Sequence, residues 1–344
     1  MSGIIGVLHT DGYQPTADDL TAAMHALAVY GGDHSGLWCD EGPAALGQHT
    51  RAITSSDEAD TLPRHHGVYH IAFDGRIHNR ADLIASLKPA EPDPTDSVLV
   101  LQAYQRWGDD CAAHLIGEFA FIIYDHAARC LYAARDPIGA RPLYYARLAD
   151  AVIIATDIGA VLAYAGVSAV LDEAVIAAHL LDANFTLTQQ TFYRDVWKLP
   201  HAHHLRAAPD DFGIRCYWRP EDLQPVRLNG IDQYAELLRE RVSQAVADRV
   251  HTQHPVAAHI SGGLDSSSVA VLAARHIAAQ NRRMAALASW SPPYSDADPP
   301  VQGDERQRID AIARAEGVPV HYTPMDGQRL REFLRRDISR EGWV

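Results

Sequence analysis

The sequence predicts two domains of different class: an α+β domain built on stacked antiparallel sheets, followed by an α/β domain built on a parallel sheet. The chain has 344 residues, which is long for a single hydrophobic core. Short apolar runs that end in turn residues recur through roughly the first 200 residues, as in stacked antiparallel sheets. Beyond them, strands alternate with helices, as in βαβ units. We therefore place the first domain at 1–207, a linker at 208–230 and the second domain at 231–344.

The individual elements follow from hydrophobic spacing. Apolar runs that predict strands of the first domain span 3–9, 69–73, 119–124, 130–134 and 151–156. Apolar residues at three- and four-residue spacing predict helices at 16–30 and 96–107, and a further helix is expected at 172–181. A stretch rich in proline, glycine and aspartate predicts the linker. After it we expect, in order, a helix at 232–250, a strand at 256–260, a helix at 267–279, a strand at 284–289, a helix at 305–316 and a strand at 318–322.

Composition argues against several classes of protein. A formal net charge of −14 is unlike that of nucleic-acid-binding proteins, which present a basic face. No apolar run approaches the ~18–20 residues that span a bilayer, and the N-terminus lacks the features of a signal peptide. The four cysteines lie far apart, without metal-ligand spacing, and are expected to be free thiols in a reducing compartment. We therefore expect a cytoplasmic protein with no nucleic-acid or membrane partner.

The most informative segment is a glycine-rich stretch between a predicted strand and a predicted helix, hereafter the glycine loop. Its residues are Ser261, Gly262, Gly263, Leu264, Asp265, Ser266 and Ser267. Paired glycines let the backbone approach an anion closely, and the helix N-terminus and serine hydroxyls add donors, which suits pyrophosphate. An aspartate among these donors suits a magnesium ion that bridges phosphate oxygens. The alternative is a ligand-free strand-to-helix turn, whereas a Walker loop is excluded because no Gly-Lys-Ser/Thr follows.

The glycine loop resembles the pyrophosphate-binding loop of the ATP-pyrophosphatase superfamily, in the form typical of asparagine synthetases. Those enzymes adenylate a carboxylate with ATP, release pyrophosphate and let an amine displace AMP. The resemblance assigns the whole loop to ATP and pyrophosphate, and it assigns Asp265 to Mg²⁺. It also implies that His259 and the strand end near Ser289 lie beside the adenosine. The residues expected to hold pyrophosphate itself are Ser261, Gly263, Ser266 and Ser267.

The first domain resembles a class II glutamine amidotransferase, which implies an αββα sandwich of the Ntn-hydrolase type. The matching segments include Met1-Ser2-Gly3-Ile4-Ile5-Gly6, Asp74-Gly75-Arg76-Ile77-His78-Asn79, Thr95-Asp96-Ser97, Gly117-Glu118-Phe119-Ala120-Phe121 and Arg135-Asp136-Pro137-Ile138-Gly139. Arg51 falls where the family has the arginine for the substrate carboxylate. Asp96 falls in the segment that holds the glutamine amino group.

Three departures from the family concern its glutaminase chemistry. Ser2 replaces the catalytic cysteine, so the easily ionised thiol is missing. Asp74 replaces an asparagine that donates to the oxyanion, and a carboxylate there would repel the developing charge. Arg76 replaces a glutamate. These changes predict a first domain without glutaminase activity, in which Ser2 and Asp74 occupy degenerate catalytic positions.

A ligase without glutaminase activity needs another source of amine, and a substrate that carries its own amine permits intramolecular closure. The segment 74–83 and the tripeptide Trp290-Ser291-Pro292 resemble lasso-peptide cyclases, which adenylate a side-chain carboxylate of a precursor peptide for attack by the peptide's N-terminal amine. The expected function is therefore macrolactam closure by an ATP-dependent carbon–nitrogen ligase. Its expected substrate is a precursor peptide, with leader-peptide-binding or protease proteins as partners.

Three other functions stay open. An ammonia-dependent asparagine synthetase and a β-lactam synthetase-like enzyme would use the same adenylation chemistry. A non-catalytic remnant or scaffold is the third alternative. It is considered because the second glycine-rich loop and the catalytic lysine of the family are not recognisable before Val344.

Overall fold

The computed structural model describes residues 1–39, 41–181, 189–291, 305–324 and 331–332. The chain forms two compact units, which are described separately below. Of the described residues, the first comprises Met1–Ala52 and Ser56–Leu223, and the second comprises Ile53–Ser55 and those from Gln224 to 332.

Two six-stranded sheets, in which every pairing is antiparallel, make up the centre of the first unit. In chain order the strands are β1 (Gly3–His9), β2 (His34–Trp38), β3 (Ala44–Thr50), β4 (Arg64–His66), β5 (Tyr69–Ile77), β6 (Gly117–Asp125), β7 (Cys130–Arg135), β8 (Tyr144–Arg147), β9 (Ala151–Ala155), β10 (Val196–Lys198), β11 (His203–Ala208) and β12 (Asp211–Cys216). Sheet A has the order β10-β8-β9-β1-β3-β2, and sheet B has the order β12-β11-β7-β6-β5-β4.

In the described part of the first unit, the helices lie between these strands along the chain, and one 3₁₀ turn follows the last strand. The helices before Gln224 are α1 (Ala17–Leu27), α2 (Ser55–Ala59), α3 (Arg80–Leu87), α4 (Asp96–Trp107), α5 (Ile158–Leu162) and α6 (Glu173–Leu180), with 3₁₀ turns at Gly108–His114 and Pro220–Asp222. The start of α1 is fixed by a capping box, in which the Asp19 carboxylate accepts the Thr16 N–H at 2.7 Å. The Thr95 hydroxyl caps α4 by accepting the Val98 N–H.

Three clusters of buried side chains establish the order of layers in the first unit. One lies between the two sheets and includes Ile4 of β1. A second lies between sheet A and helices α1 and α5 and includes Ile5, the next residue of β1. A third lies between sheet B and helices α3 and α4 and includes Phe121 of β6. Both faces of each sheet are therefore covered, so central strands are buried along their whole length instead of alternating. This layering confirms the predicted αββα sandwich.

Two residues bring the sheets close together and join them. A Cβ atom on Gly6 of β1 would lie only 2.7 Å from the Ile122 Cγ2 atom of β6, so the sheets approach too closely there for a side chain. Gln48 of β3 is fully buried and hydrogen-bonds twice to Phe73 of β5. Its Nε2 donates to the Phe73 carbonyl and its Oε1 accepts the Phe73 N–H, both at 2.9 Å. A buried amide is thus paired across the two sheets.

The start of the predicted linker, 208–230, is folded into sheet B. β12 pairs along its whole length with β11, and β11 in turn pairs with β7. Pro209 and Asp210 form the tight turn of this hairpin. Proline and aspartate mark a hairpin turn as readily as a connection between domains, which is why composition alone placed the boundary too early. The first unit continues to Leu223.

The second unit contains a parallel sheet, as the alternating pattern predicted. Its described elements are α7 (Ile231–Val250), β13 (Ala257–His259), α8 (Leu264–Ala279), β14 (Ala286–Ser291), α9 (Arg306–Glu316) and β15 (Val320–Pro324). The strand order is β13-β14-β15, and both pairings are parallel. Val246, Ile277, Leu287 and Ile309 bring the three helices and the sheet into one core. Among the described residues, no helix has both the length and the apolar character needed to cross a bilayer.

Candidate functional site

The glycine loop lies at the carboxyl edge of the parallel sheet, the edge where open α/β sheets bind ligands. β13 ends at His259, and the following Ile260 N–H still donates to the Ala288 carbonyl of β14 at 2.9 Å. The loop begins at the next residue, Ser261. The sequence-predicted position between a parallel strand and a helix is therefore observed.

Hydrogen bonds between serines and a left-handed glycine set the shape of the loop. Ser266 Oγ accepts the Ser261 N–H at 3.1 Å and lies 3.0 Å from Ser261 Oγ. Gly262 has a φ of +75°, a region that residues with a Cβ rarely adopt. A Cβ atom on Gly262 would also lie 2.9 Å from Glu305 Cβ. Both the backbone conformation and the close neighbour therefore require glycine at this position.

Helix α8 begins at Leu264, three residues before the predicted start at 267. Gly263 is the N-cap and has an extended conformation, with a φ of −76° and a ψ of 162°. Asp265 and Ser266 therefore lie in the first helical turn. Backbone N–H groups of a first turn have no partner within the helix and carry partial positive charge. The second half of the loop is thus the helix N-terminus itself, with the exposed Asp265 carboxylate beside it.

Ser267 supplies an observation that sequence reasoning did not anticipate. Its Oγ is buried and has no hydrogen-bond partner among the residues that the structure describes. Buried hydroxyls are normally paired, so each exception needs an explanation. A hydroxyl donor at a helix N-terminus matches an oxygen of an anionic ligand, and the donor set of the loop therefore fits a phosphate group.

The residues predicted beside the adenosine lie on neighbouring strands. His259 is exposed at the end of β13, in register with Ala288 of β14. Ser289, the next residue of β14, is 6% exposed. The two residues thus lie near the same edge of the sheet, and their contact with adenosine stays a prediction. Pro292, part of the predicted Trp290-Ser291-Pro292 motif, lies outside the described residues.

In the first unit, the structure brings Ser2 and Asp74 together. The Ser2 backbone N–H donates to Asp74 Oδ1 at 2.7 Å, and both residues are buried. Ser2 Oγ accepts the Arg51 backbone N–H at 3.0 Å, while the Arg51 residue is exposed. A serine hydroxyl and a carboxylate therefore occupy the positions where the resemblance implies a thiol and an amide donor.

The Asp74 carboxylate is buried beside one arginine. Arg141 Nη1 lies 3.8 Å from Asp74 Oδ2, and Arg141 Nη2 lies 4.0 Å from Glu118 Oε2. Burial raises the pKa of the Asp74 carboxyl above its usual range, and the Arg141 guanidinium opposes this effect. Asp74 Oδ2 forms no hydrogen bond to any described residue. Arg76 lies on the same strand as Asp74, in register with Glu118 of β6.

The Asp96 carboxylate, in the segment that the resemblance assigns to the amino group of glutamine, is bound by an arginine of the chain. Arg80, the first residue of α3, donates through Nη1 to Asp96 Oδ1 and through Nη2 to the Pro94 carbonyl at 2.7 Å. The other oxygen of Asp96 accepts the Ile77 N–H at 2.8 Å. Both carboxylate oxygens are therefore already engaged.

Sequence reasoning assigned no role to either arginine. Arg80 and Arg141 both lie in segments that matched the amidotransferase family, but contact with a carboxylate depends on how the strands and helices pack. The available signal was the arginine directly after Asn79, within the segment 74–83 that resembles lasso-peptide cyclases.

Two protein families match the chain, one over most of the first unit and one within the second. Residues 1–218 match the glutamine amidotransferase domain family. The chain belongs to that family. Residues 237–339 match the asparagine synthase family. The combination, together with asparagine synthetase relatives, confirms the asparagine-synthetase-like family predicted from the sequence.

The relatives of this glutamine amidotransferase-domain protein include both amidases and synthetases by name. It is 30% identical to amidase chry2 of Gibberella zeae, over 94% of this chain and 49% of the relative. It is 27% identical to asparagine synthetase [glutamine-hydrolyzing] 3 of Bacillus subtilis, over 91% of this chain and 52% of the relative. The chain thus spans about half the length of these two proteins. A solved structure of glutamine phosphoribosylpyrophosphate amidotransferase from B. subtilis aligns with a TM-score of 0.44 and 15% identity, over 94% of this chain and 81% of that chain.

Proposed function

We propose that this chain is the amidotransferase-like and nucleotide-binding part of an ATP-dependent ligase that forms amide bonds by carboxylate adenylation. The observation that carries the proposal is the glycine loop at the carboxyl edge of a parallel sheet. Its Ser267 hydroxyl is buried at the helix N-terminus and has no hydrogen-bond partner among the described residues. Hydroxyls, backbone N–H groups and an acidic side chain within seven residues suit pyrophosphate and Mg²⁺. Asp265 would hold the metal ion, which neutralises charge on the phosphates.

The loop donors favour a reaction in which pyrophosphate is the leaving group. The substrate carboxylate attacks the α-phosphorus of ATP, a carboxylate–phosphorus bond forms, and pyrophosphate leaves. Donors that are already oriented stabilise the charge that develops on the leaving oxygen. An amine then attacks the acyl carbon and AMP leaves with one oxygen of the original carboxylate. No Walker lysine is present to support transfer of the γ-phosphoryl group.

We further propose that the first unit does not produce ammonia from glutamine. A serine at position 2 is a weaker nucleophile than a thiolate, and the buried Asp74 offers a negative charge where an oxyanion donor is needed. Arg80 adds a third argument, since its guanidinium pairs with the carboxylate that would hold the glutamine amino group.

The amine is then best supplied by the substrate itself, and we propose lasso-peptide macrolactam closure as the reaction. Binding the amine and the activated carboxylate in one peptide gives a high effective molarity. The substrate would be a precursor peptide, and leader-peptide-binding or protease proteins would act with the enzyme. Support for this specific reaction comes from the segment 74–83, in which Arg76 and Arg80 belong to the cyclase-like pattern.

The test measures the nucleotide products and the mass of the peptide in the same reaction. The protein is incubated with the candidate precursor peptide, ATP and Mg²⁺, without ammonia or glutamine. We expect AMP and pyrophosphate as nucleotide products and a peptide lighter by one water. An Asp265→Asn variant provides the matched control and should lose both products. Release of ADP and phosphate instead would refute adenylation.

An ammonia-dependent asparagine synthetase is the second candidate, because relatives of this chain carry the name asparagine synthetase. In that case the same assay with aspartate and ammonium would yield asparagine, AMP and pyrophosphate. The peptide mass would then be unchanged in the first assay.

A further inference from the structure

Two histidines and a glutamate from three separate segments meet at one end of the sandwich. Glu41 lies in the connection between β2 and β3, His70 lies in β5, and His126 directly follows β6. One side-chain ligand atom from each residue lies within 4.8 Å of the other two. The two imidazoles are the closest pair, with His70 Nδ1 at 3.1 Å from His126 Nε2.

The His70 ring is held in place by its neighbours. It is 5% exposed and stacks on the Trp38 ring of β2, with centroids 3.9 Å apart and planes within 17°. His70 and Asp74 are four residues apart, so their side chains lie on the same face of β5. Ala72, between them, belongs to the core between the sheets. His70 therefore faces sheet A, about 13 Å along the strand from Asp74.

The other two residues are also oriented by hydrogen bonds. The His126 backbone N–H donates to the Val68 carbonyl at 3.0 Å, which fixes the start of the turn after β6. Trp38 Nε1 donates to Glu41 Oε2 at 3.3 Å, so the indole that stacks on His70 also contacts the glutamate. The same tryptophan thus positions two members of the cluster.

The separations suit a metal ion with tetrahedral coordination. Zinc–nitrogen bonds of about 2.0–2.1 Å place two tetrahedral ligands about 3.3 Å apart. The distance between the histidine nitrogens, 3.1 Å, is close to this value. Glu41 is exposed, so rotation of its side chain can bring the carboxylate to bonding distance.

The surroundings of the His70 imidazole are mostly apolar, with two further histidines and one glutamate nearby. Burial lowers the pKa of His70 to about 4, and the nearby His126 and His65 act in the same direction, while Glu41 opposes them.

We propose that Glu41, His70 and His126 form a binding site for a divalent transition metal, with zinc as the ion that matches this ligand set. Two imidazoles and one carboxylate leave the fourth position for water. The metal joins the β2–β3 connection of sheet A to β5 and to the turn after β6 in sheet B. Its role is to cross-link the two sheets at the end of β5 opposite Asp74. This site is separate from the proposed ligase function, which depends on the glycine loop.

The competing explanation is a direct hydrogen bond between the two imidazoles, with the glutamate held by its hydrogen bond from Trp38. The two explanations differ in their response to metal. A hydrogen bond contributes the same stability with and without zinc, whereas a ligated ion stabilises the folded state in proportion to its binding.

Metal-free full-length protein is titrated with Zn²⁺ by calorimetry and with Co²⁺ by visible absorption, and its melting temperature is recorded with and without Zn²⁺. We expect one equivalent of metal, tetrahedral Co²⁺ bands and a zinc-dependent rise in melting temperature. His126→Gln should abolish all three, and Glu41→Gln should weaken zinc binding at least tenfold. The exposed His201→Ala is the matched control and should behave as wild type.

Three results would overturn the site. The first is wild-type protein that binds no stoichiometric zinc. The second is binding that survives both His126→Gln and Glu41→Gln, which would assign the metal to other residues. The third is a loss of melting temperature in His126→Gln that is equal with and without zinc, which would establish the hydrogen-bond explanation.

Discussion

A buried carboxylate at position 74 has a consequence for stability that depends on pH. Its pKa is raised in the folded state, chiefly by burial, so the folded protein binds the proton more tightly than the unfolded chain. As pH rises from the unfolded pKa of about 4 through the folded pKa, the folded state loses stability relative to the unfolded state. Asp74→Asn removes this loss and keeps an acceptor for the Ser2 N–H. We expect its melting temperature to exceed that of wild type by a few degrees at neutral pH, and to equal it below about pH 4. The exposed hairpin-turn variant Asp210→Asn is the control and should show no such trend. A deficit for Asp74→Asn that grows with pH would contradict the argument.

At the scale of one element, we expect a substitution in the loop at the start of α8 to weaken ligand binding without lowering the free energy of unfolding. Ser267→Ala deletes a buried hydroxyl that no described residue bonds, so the unfolding free energy should stay unchanged or rise slightly. If the hydroxyl donates to a phosphate, the same variant should weaken binding of ATP with Mg²⁺ by about tenfold, or ~1.4 kcal/mol. Ser268→Ala, exposed on the same helix, is the matched control and should bind like wild type. Calorimetric titration and thermal melts measure the two effects. Equal affinities for both variants would remove Ser267 from the site.

At the scale of the whole molecule, the two units have separate cores, and we expect calorimetry to resolve two unfolding transitions. The buried clusters of the first unit and the cluster around Val246 share no residue. A ligand stabilises the state that binds it, so ATP with Mg²⁺ should raise only the transition of the second unit. Asp265→Asn should abolish that rise and leave the other transition in place. A single transition that shifts as a whole would show that the units unfold together.

Sequence reasoning succeeded where local signals agree with tertiary structure. The apolar runs of the first part and the alternation in the second gave the antiparallel sandwich and the parallel sheet. The prediction of a linker at 208–230 was less accurate. The turn residues after Ala208 belong to the hairpin of β11 and β12, and β11 pairs with β7, which is far away in the chain. The start of α8 was placed late, since Gly263 resembles loop but serves as the N-cap. The contact between His70 and His126 joins residues 56 positions apart, so no local spacing could reveal it.

The paired amide of Gln48 has a consequence for the evolution of the site formed by Ser2 and Asp74. Because Gln48 hydrogen-bonds to both backbone groups of Phe73, its side chain acts as an extra peptide unit that prevents the sheets from sliding past each other. Gln48 is in register with Ile4 on β1, two residues after Ser2, and Phe73 immediately precedes Asp74. The alignment of positions 2 and 74 is therefore inherited from the scaffold and does not depend on what their side chains do. Substitutions at positions 2 and 74 can therefore change the chemistry of that site without changing its geometry.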